Sequence, residues 1–138
     1  MTENEIAKIV VDCAFRVHTT LGPGLLETVD EVALAYELNE RGLSTQRQVP
    51  IPIRYGAILF EGGFIADLIV ENAVLIELKS IEQVAPVHKK QLITYLRLAD
   101  KRLGLVINFG EALIKNGITR IVNGLPEAPS DAKKEFTL

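Results

Sequence analysis

From Glu3 to about Thr20 apolar residues recur at spacings of three and four. Ile6, Ile9, Val10, Cys13, Ala14 and Val17 thus form one face of an α-helix, with Thr2 or Asn4 to cap it. The stretch LGPG, residues 21 to 24, stops that helix. A second is predicted from Leu25 to about Arg41, with Leu26, Val29, Val32, Ala33, Tyr36 and Leu38 as its core stripe and Gly42 in the left-handed position past its end. The period then drops to two. QVPIPIRY alternates, with Val49, Ile51 and Ile53 on one side, and Pro50 and Pro52 place it at a sheet edge because proline cannot donate to a ladder. Further strands are predicted at 57 to 60, 63 to 70 and 73 to 79, the last two forming a hairpin. Both faces of that hairpin are apolar, Leu68, Val70, Val74, Ile76 and Leu78 on one and Ile69 and Leu75 on the other, so helices must cover the sheet on both sides. Pro86 opens a third helix with Val87, Leu92, Leu96 and Leu98 turned inward. RLGLVINFG and GITRIVN are the closing strands. The predicted order is ααβββαββ, an α/β fold with a mixed sheet flanked by helices.

A chain of 138 residues with 48% hydrophobic residues is one domain, long enough to cover one sheet with helices on at least one face. The expected domain is 1-123, followed by a flexible tail over 124-138 whose composition suits a frayed end. The longest apolar runs fall far short of the roughly 20 residues a membrane span needs. The acidic start lacks a secretory signal, and the single cysteine, Cys13, on an apolar helix face, reads as core; both fit a cytoplasmic protein. Net charge is −3, which argues against tight nonspecific binding to nucleic acid. The distribution qualifies this. Residues 1 to 40 hold eight acids against Lys8 and Arg16, whereas 80 to 102 hold Lys89, Lys90, Arg97, Lys101 and Arg102 against Glu82 and Asp100.

The candidate chemistry lies in FIADLIVENAVLIELKS, residues 64 to 80, where Asp67, Glu77 and Lys79 interrupt what is otherwise buried strand. An unpaired charge there costs several kcal/mol. Glu77 and Lys79, two apart, share a face. A two-residue turn at Glu71 and Asn72 would put Asp67 on the other face from Glu77. A three-residue connection of Glu71, Asn72 and Ala73 puts Asp67 directly opposite Glu77, and this register is expected because it lets all three charges share one site. Two opposed carboxylates repel and call for positive charge. Lys79 supplies one unit and a divalent cation two more; oxygen ligands favour Mg²⁺ or Mn²⁺ over Zn²⁺. Such a site suits metal-assisted phosphodiester hydrolysis. The plainer alternative is an Asp and a Glu paired with a Lys at a sheet edge.

Residues 67 to 79 resemble the motif of the PD-(D/E)XK nuclease superfamily, whose restriction-endonuclease-like αβββαβ core matches the predicted order. QLITY, with Gln91 and Tyr95 four apart on one helical face, resembles the QxxxY motif of the RecB-like branch. GPGLLETVDEVAL together with DLIVENAVLIELKS, PVHKKQLITYLRL and GLVINFG resembles the GxxExxY proteins, a small bacterial and archaeal family of this superfamily, over about residues 5 to 123. The resemblance implies a Mg²⁺- or Mn²⁺-dependent nuclease acting on DNA, with Asp67 and Glu77 as metal-binding acids, Lys79 as the catalytic lysine and Glu27 as an additional ligand or acid. It implies that Gln91 and Tyr95 bind substrate phosphate or order the lysine. His88, three before Gln91, shares their face. Lys89, Lys90, Arg97 and Arg102 are candidate backbone contacts. Where the GxxExxY family has tyrosine this chain has Asp30, a further outer-shell ligand or a sign that the site has drifted. The alternative is a weak or inactive nuclease-fold module that binds another protein; self-association to present two sites is a third reading.

Overall fold

The computed structural model describes residues 1–126; the expected tail lies outside the described residues from 127 onward. Helix α1 (Glu3–Leu21) begins at a capping box: Thr2 Oγ1 accepts the Glu5 N–H and Glu5 accepts the Thr2 N–H. Such a cap contributes about 1 kcal/mol. Helix α2 (Glu27–Glu40) is followed by Gly42 at φ 80°. Strands β1 (Thr45–Tyr55), β2 (Ile58–Val70) and β3 (Val74–Lys79) form an antiparallel meander. Helix α3 (Pro86–Ala99) carries the chain over to β4 (Leu103–Asn108), parallel to β3, and β5 (Ile118–Val122) closes the sheet antiparallel to β4. The sheet order is β1-β2-β3-β4-β5.

Two cores sandwich this sheet. On one face α1 and α2 pack over Leu68, Val70, Val74, Ile76, Leu78 and the even positions' counterparts on β4, Leu103, Leu105 and Ile107. Leu92 and Leu96 of α3 cover the other face, against Phe64, Ile69, Leu75 and Val106. Gly104 permits their close approach: a Cβ there would meet both leucines at 3.1 Å. Cys13 is fully buried in the first core, as expected.

Three expectations are corrected. The segments 57 to 60 and 63 to 70 are one strand, because Glu61, Gly62 and Gly63 pass through a bulge opposite Ile51 and Ile53 without turning back. In α2 the stripe is rotated: Leu26, Val29, Val32 and Tyr36 are exposed, and the buried face is Asp30, Glu31, Leu34, Ala35 and Leu38. Hydropathy could not show this, since Glu31 is buried with its charge answered by Arg47. In α3 only Leu92 and Leu96 are fully inward, while Val87 and Leu98 are exposed.

Candidate active site

The β2–β3 connection is Glu71, Asn72 and Ala73, with Glu71 and Asn72 both at left-handed φ. The ladder from it runs Val70↔Val74, Ile69↔Leu75, Leu68↔Ile76 and then stops. Beyond that point β2 stays with β1 as far as Ile58, and β3 stays with β4 as far as Lys79. The sheet therefore forks, and the next residues on either arm are Asp67 and Glu77. They close the fork with side chains instead of ladder bonds. The Leu78 N–H donates to Asp67 Oδ2 at 2.8 Å, and the Asp67 N–H donates to Glu77 Oε1 at 3.4 Å. The three-residue register predicted from the charges is the one observed.

Burial and mutual repulsion act on both acids. Glu77 is pushed up to about 8 from an ordinary 4.5, first by burial and then by the negative charge of Asp67. Asp67 is raised as well, by burial first and then by Glu31 and Glu27 on α2; the Leu78 N–H and Lys79 pull it the other way. Lys79, two past Glu77 on the same strand face, lowers both acids through its charge. Among the described residues it makes no close ion pair with either. Its backbone is held firmly: the Phe109 N–H donates to the Lys79 carbonyl at 2.8 Å. Fully buried Asn108, opposite Lys79 on β4, clamps the chain that follows, accepting the Ile81 and Gly110 N–H groups at Oδ1 and donating through Nδ2 to the Ile81 carbonyl.

Tyr95 joins the site from α3. Its ring stacks on Phe64 with centroids 4.0 Å apart and planes 8° from parallel, and burial together with the charges of Glu77 and Asp67 raises its phenol. Gln91 is exposed one turn earlier. His88 is a helix cap, its Nδ1 accepting the Ala85 N–H at 3.0 Å. Glu27 is exposed in the first turn of α2, where Ser80 Oγ donates to the Leu25 carbonyl at 2.6 Å and ties that turn to the end of β3. A pocket of about 380 Å³ opens there, lined by Leu25, Leu26, Glu27, Thr28 and Ser80. Glu27 thus reaches Asp67 through its field. Among the described residues no three His, Cys, Asp or Glu side chains converge closely enough to hold an ion, so the structure does not bring Glu27 into contact with the two acids. Asp30 faces the core instead: it is 1% exposed, neither oxygen has a hydrogen-bond partner, and burial raises its pKa against the opposing pull of His18.

The basic residues divide. Lys89 and Lys90 lie in the first turns of α3, which follows the Lys79 end of β3, whereas Arg102 precedes β4 at its opposite end and pairs with Glu3 at 2.9 Å. Lys101 is occupied at the hairpin turn, donating to Asn72. Arg97, exposed, lies near the end of α3.

Sequence reasoning passed over Glu31, Arg47, Gln48 and Asn108. Glu31 is 3% exposed and fully bonded: Arg47 Nε and Nη2 donate to Oε2 at 3.1 and 3.0 Å, and Gln48 Nε2 donates to Oε1. Gln48 has φ 52°, a conformation that costs a non-glycine residue about 1–2 kcal/mol. A glutamate four residues after Glu27 on the same helical face was the available signal.

Two opposed carboxylates in a buried fork, with hard oxygen donors and, among the described residues, no close ion-pair partner, fit a divalent ion. A family model of the PD-(D/E)XK nuclease superfamily matches residues 4–121. No curated protein and no solved structure matches the chain.

Proposed function

The chain belongs to the PD-(D/E)XK nuclease superfamily, and from that premise we propose that it is a Mg²⁺- or Mn²⁺-dependent nuclease hydrolysing phosphodiester bonds of DNA, with Asp67, Glu77 and Lys79 at its centre. The observation that carries this reading is the closure of the β2–β3 fork by the two acids, with Lys79 on the same strand face as Glu77. Asp67 and Glu77 would hold the ion, which when bound would lower the pKa of a water and offset charge on the phosphate. Lys79 places its ammonium beside the attacked phosphate, where negative charge develops in the transition state. Tyr95 and Gln91 line the α3 side and hydrogen-bond the phosphate or Lys79, and Lys89 and Lys90 meet the neighbouring backbone. Glu27 adds negative field from α2.

Gln91 and Tyr95 also support placing the chain in the RecB-like branch, and the block around Glu27 supports the GxxExxY family, with Asp30 as its departure. We read it as a cytoplasmic enzyme; no helix is long and apolar enough to cross a membrane among the described residues. A second reading, a protein-binding module of weak or no activity, is favoured by the outward apolar residues of α2. Val29, Val32 and Tyr36 line a groove of about 690 Å³ against Val17 and Leu21 of α1, where a partner or a second copy would sit. Cleavage of single- and double-stranded DNA by the purified protein with Mg²⁺ or Mn²⁺, beside Asp67→Ala, separates the two. Metal-dependent cleavage lost in the variant supports the nuclease; no cleavage at millimolar metal favours the binding module.

A further inference from the structure

Side chains on β1 and β2 change sides at one point. In a regular strand residues two apart share a face. Yet Leu68 packs under α1 and α2 while Ala66 packs on the α3 face, and on β1 Arg47 reaches Glu31 of α2 while Val49 packs with the α3 core. The change falls on Gln48 and Asp67. The ladder pairs Arg47 with Leu68 and Val49 with Ala66 but skips the residues between. Gln48 is also the one β1 residue with left-handed φ. A glycine would take that conformation freely; a glutamine needs compensation, and the hydrogen bond its side-chain amide donates to Glu31 provides it.

We propose that Gln48 and Glu31 are positioning residues for Asp67. The kink at Gln48, latched through its amide to buried Glu31, reverses the facing of both strands at this position and turns the Asp67 carboxylate into the plane of the sheet, toward β3. Without the reversal Asp67 would stand on a sheet face and would not reach the Leu78 N–H that it now accepts at 2.8 Å. Arg47 completes the latch by donating through Nε and Nη2 to Glu31 Oε2. The consequence for the metal site rests on the nuclease reading; the placement of Asp67 does not.

The Leu78 amide reports that placement directly, so its hydrogen exchange in ion-free protein is the first readout and Mn²⁺ affinity by calorimetry the second. Gln48→Val cannot hold the kink. Its Leu78 amide is expected to exchange about tenfold faster, as on loss of one hydrogen bond, with the Leu68 and Ile76 amides unchanged and Mn²⁺ bound about tenfold more weakly. Gln48→Gly keeps the kink and should match wild type. If Gln48→Val does not fold, Glu31→Leu decides: it removes the latch and should speed Leu78 exchange, and adding Gln48→Gly should restore it. Wild-type Leu78 protection in Gln48→Val or Glu31→Leu overturns the proposal. Failure of the wild type to bind Mn²⁺ or cleave DNA would instead overturn the nuclease reading and leave the exchange result to be read alone.

Discussion

The carboxylate of Asp67 accepts the backbone N–H of Leu78 across the fork of the sheet at 2.8 Å, taking the place of a ladder bond. An acid in that position is fixed by main chain on both arms. Its neighbour Glu77 shares the fork, and on the nuclease reading a proton and a metal ion compete for the pair.

That competition sets a pH dependence. In ion-free protein Glu77 keeps its proton up to about 8, whereas in the unfolded chain it would lose it near the ordinary 4.5. The folded state therefore binds more protons between these values, and stability without metal should fall as pH rises through this window. Metal must displace the proton, so affinity should increase by up to about tenfold per pH unit below about 8 and level off above. Calorimetric Mn²⁺ titrations and denaturant unfolding across the window check both. An affinity independent of pH would show that Glu77 does not hold the ion.

In the proposed mechanism Lys79 serves the chemistry and not the ion. Lys79→Ala should lower cleavage about a hundredfold or more while Mn²⁺ binds at least as tightly as in wild type, because a positive charge competing for the acids is removed. Single-turnover cleavage beside calorimetry on the same sample measures this, and wild-type cleavage by the variant would end the proposed mechanism.

Asn108 is a structural clamp behind Lys79. Asn108→Ala removes three hydrogen bonds and strands the Ile81 N–H and carbonyl, which should cost about 2–4 kcal/mol by urea unfolding. Cleavage should fall with it, because the chain leaving Lys79 loses its anchor to β4.

Asp30 should behave in the opposite sense. Its buried carboxylate has no hydrogen-bond partner and its pKa is raised by burial, so it opposes folding once ionised. Asp30→Asn should stabilise the protein by about 1–2 kcal/mol near neutral pH, with the gain shrinking as pH falls and Asp30 itself takes up a proton. Unfolding midpoints at neutral and acidic pH test this; a loss of stability would mean that Asp30 is ionised and served by a partner.

Much of the architecture was legible because hydrophobic period, prolines and turn parity agree. The prolines at 50 and 52 marked the edge strand, and the cost of isolated charges selected the three-residue connection that sets Asp67 against Glu77. What escaped was everything decided by a partner distant in sequence. The buried face of α2 contains Asp30 and Glu31, which hydropathy assigns to solvent, and only Arg47 and Gln48, on a strand, show why Glu31 can be inside. The left-handed Gln48 has no signature, since glutamine does not favour that conformation. The break expected between the strands 57 to 60 and 63 to 70 is a bulge, a distinction that depends on whether β1 continues alongside.

Cys13, fully buried in α1, gives the chain a built-in clock. With a single thiol in the sequence, a disulfide reagent can react only when that helix leaves the core. Its labelling rate would then measure how often the native protein opens, with no substitution or dye required. Followed with and without Mn²⁺, the same signal would tell whether filling the fork steadies the far side of the sheet or only the strands that meet there.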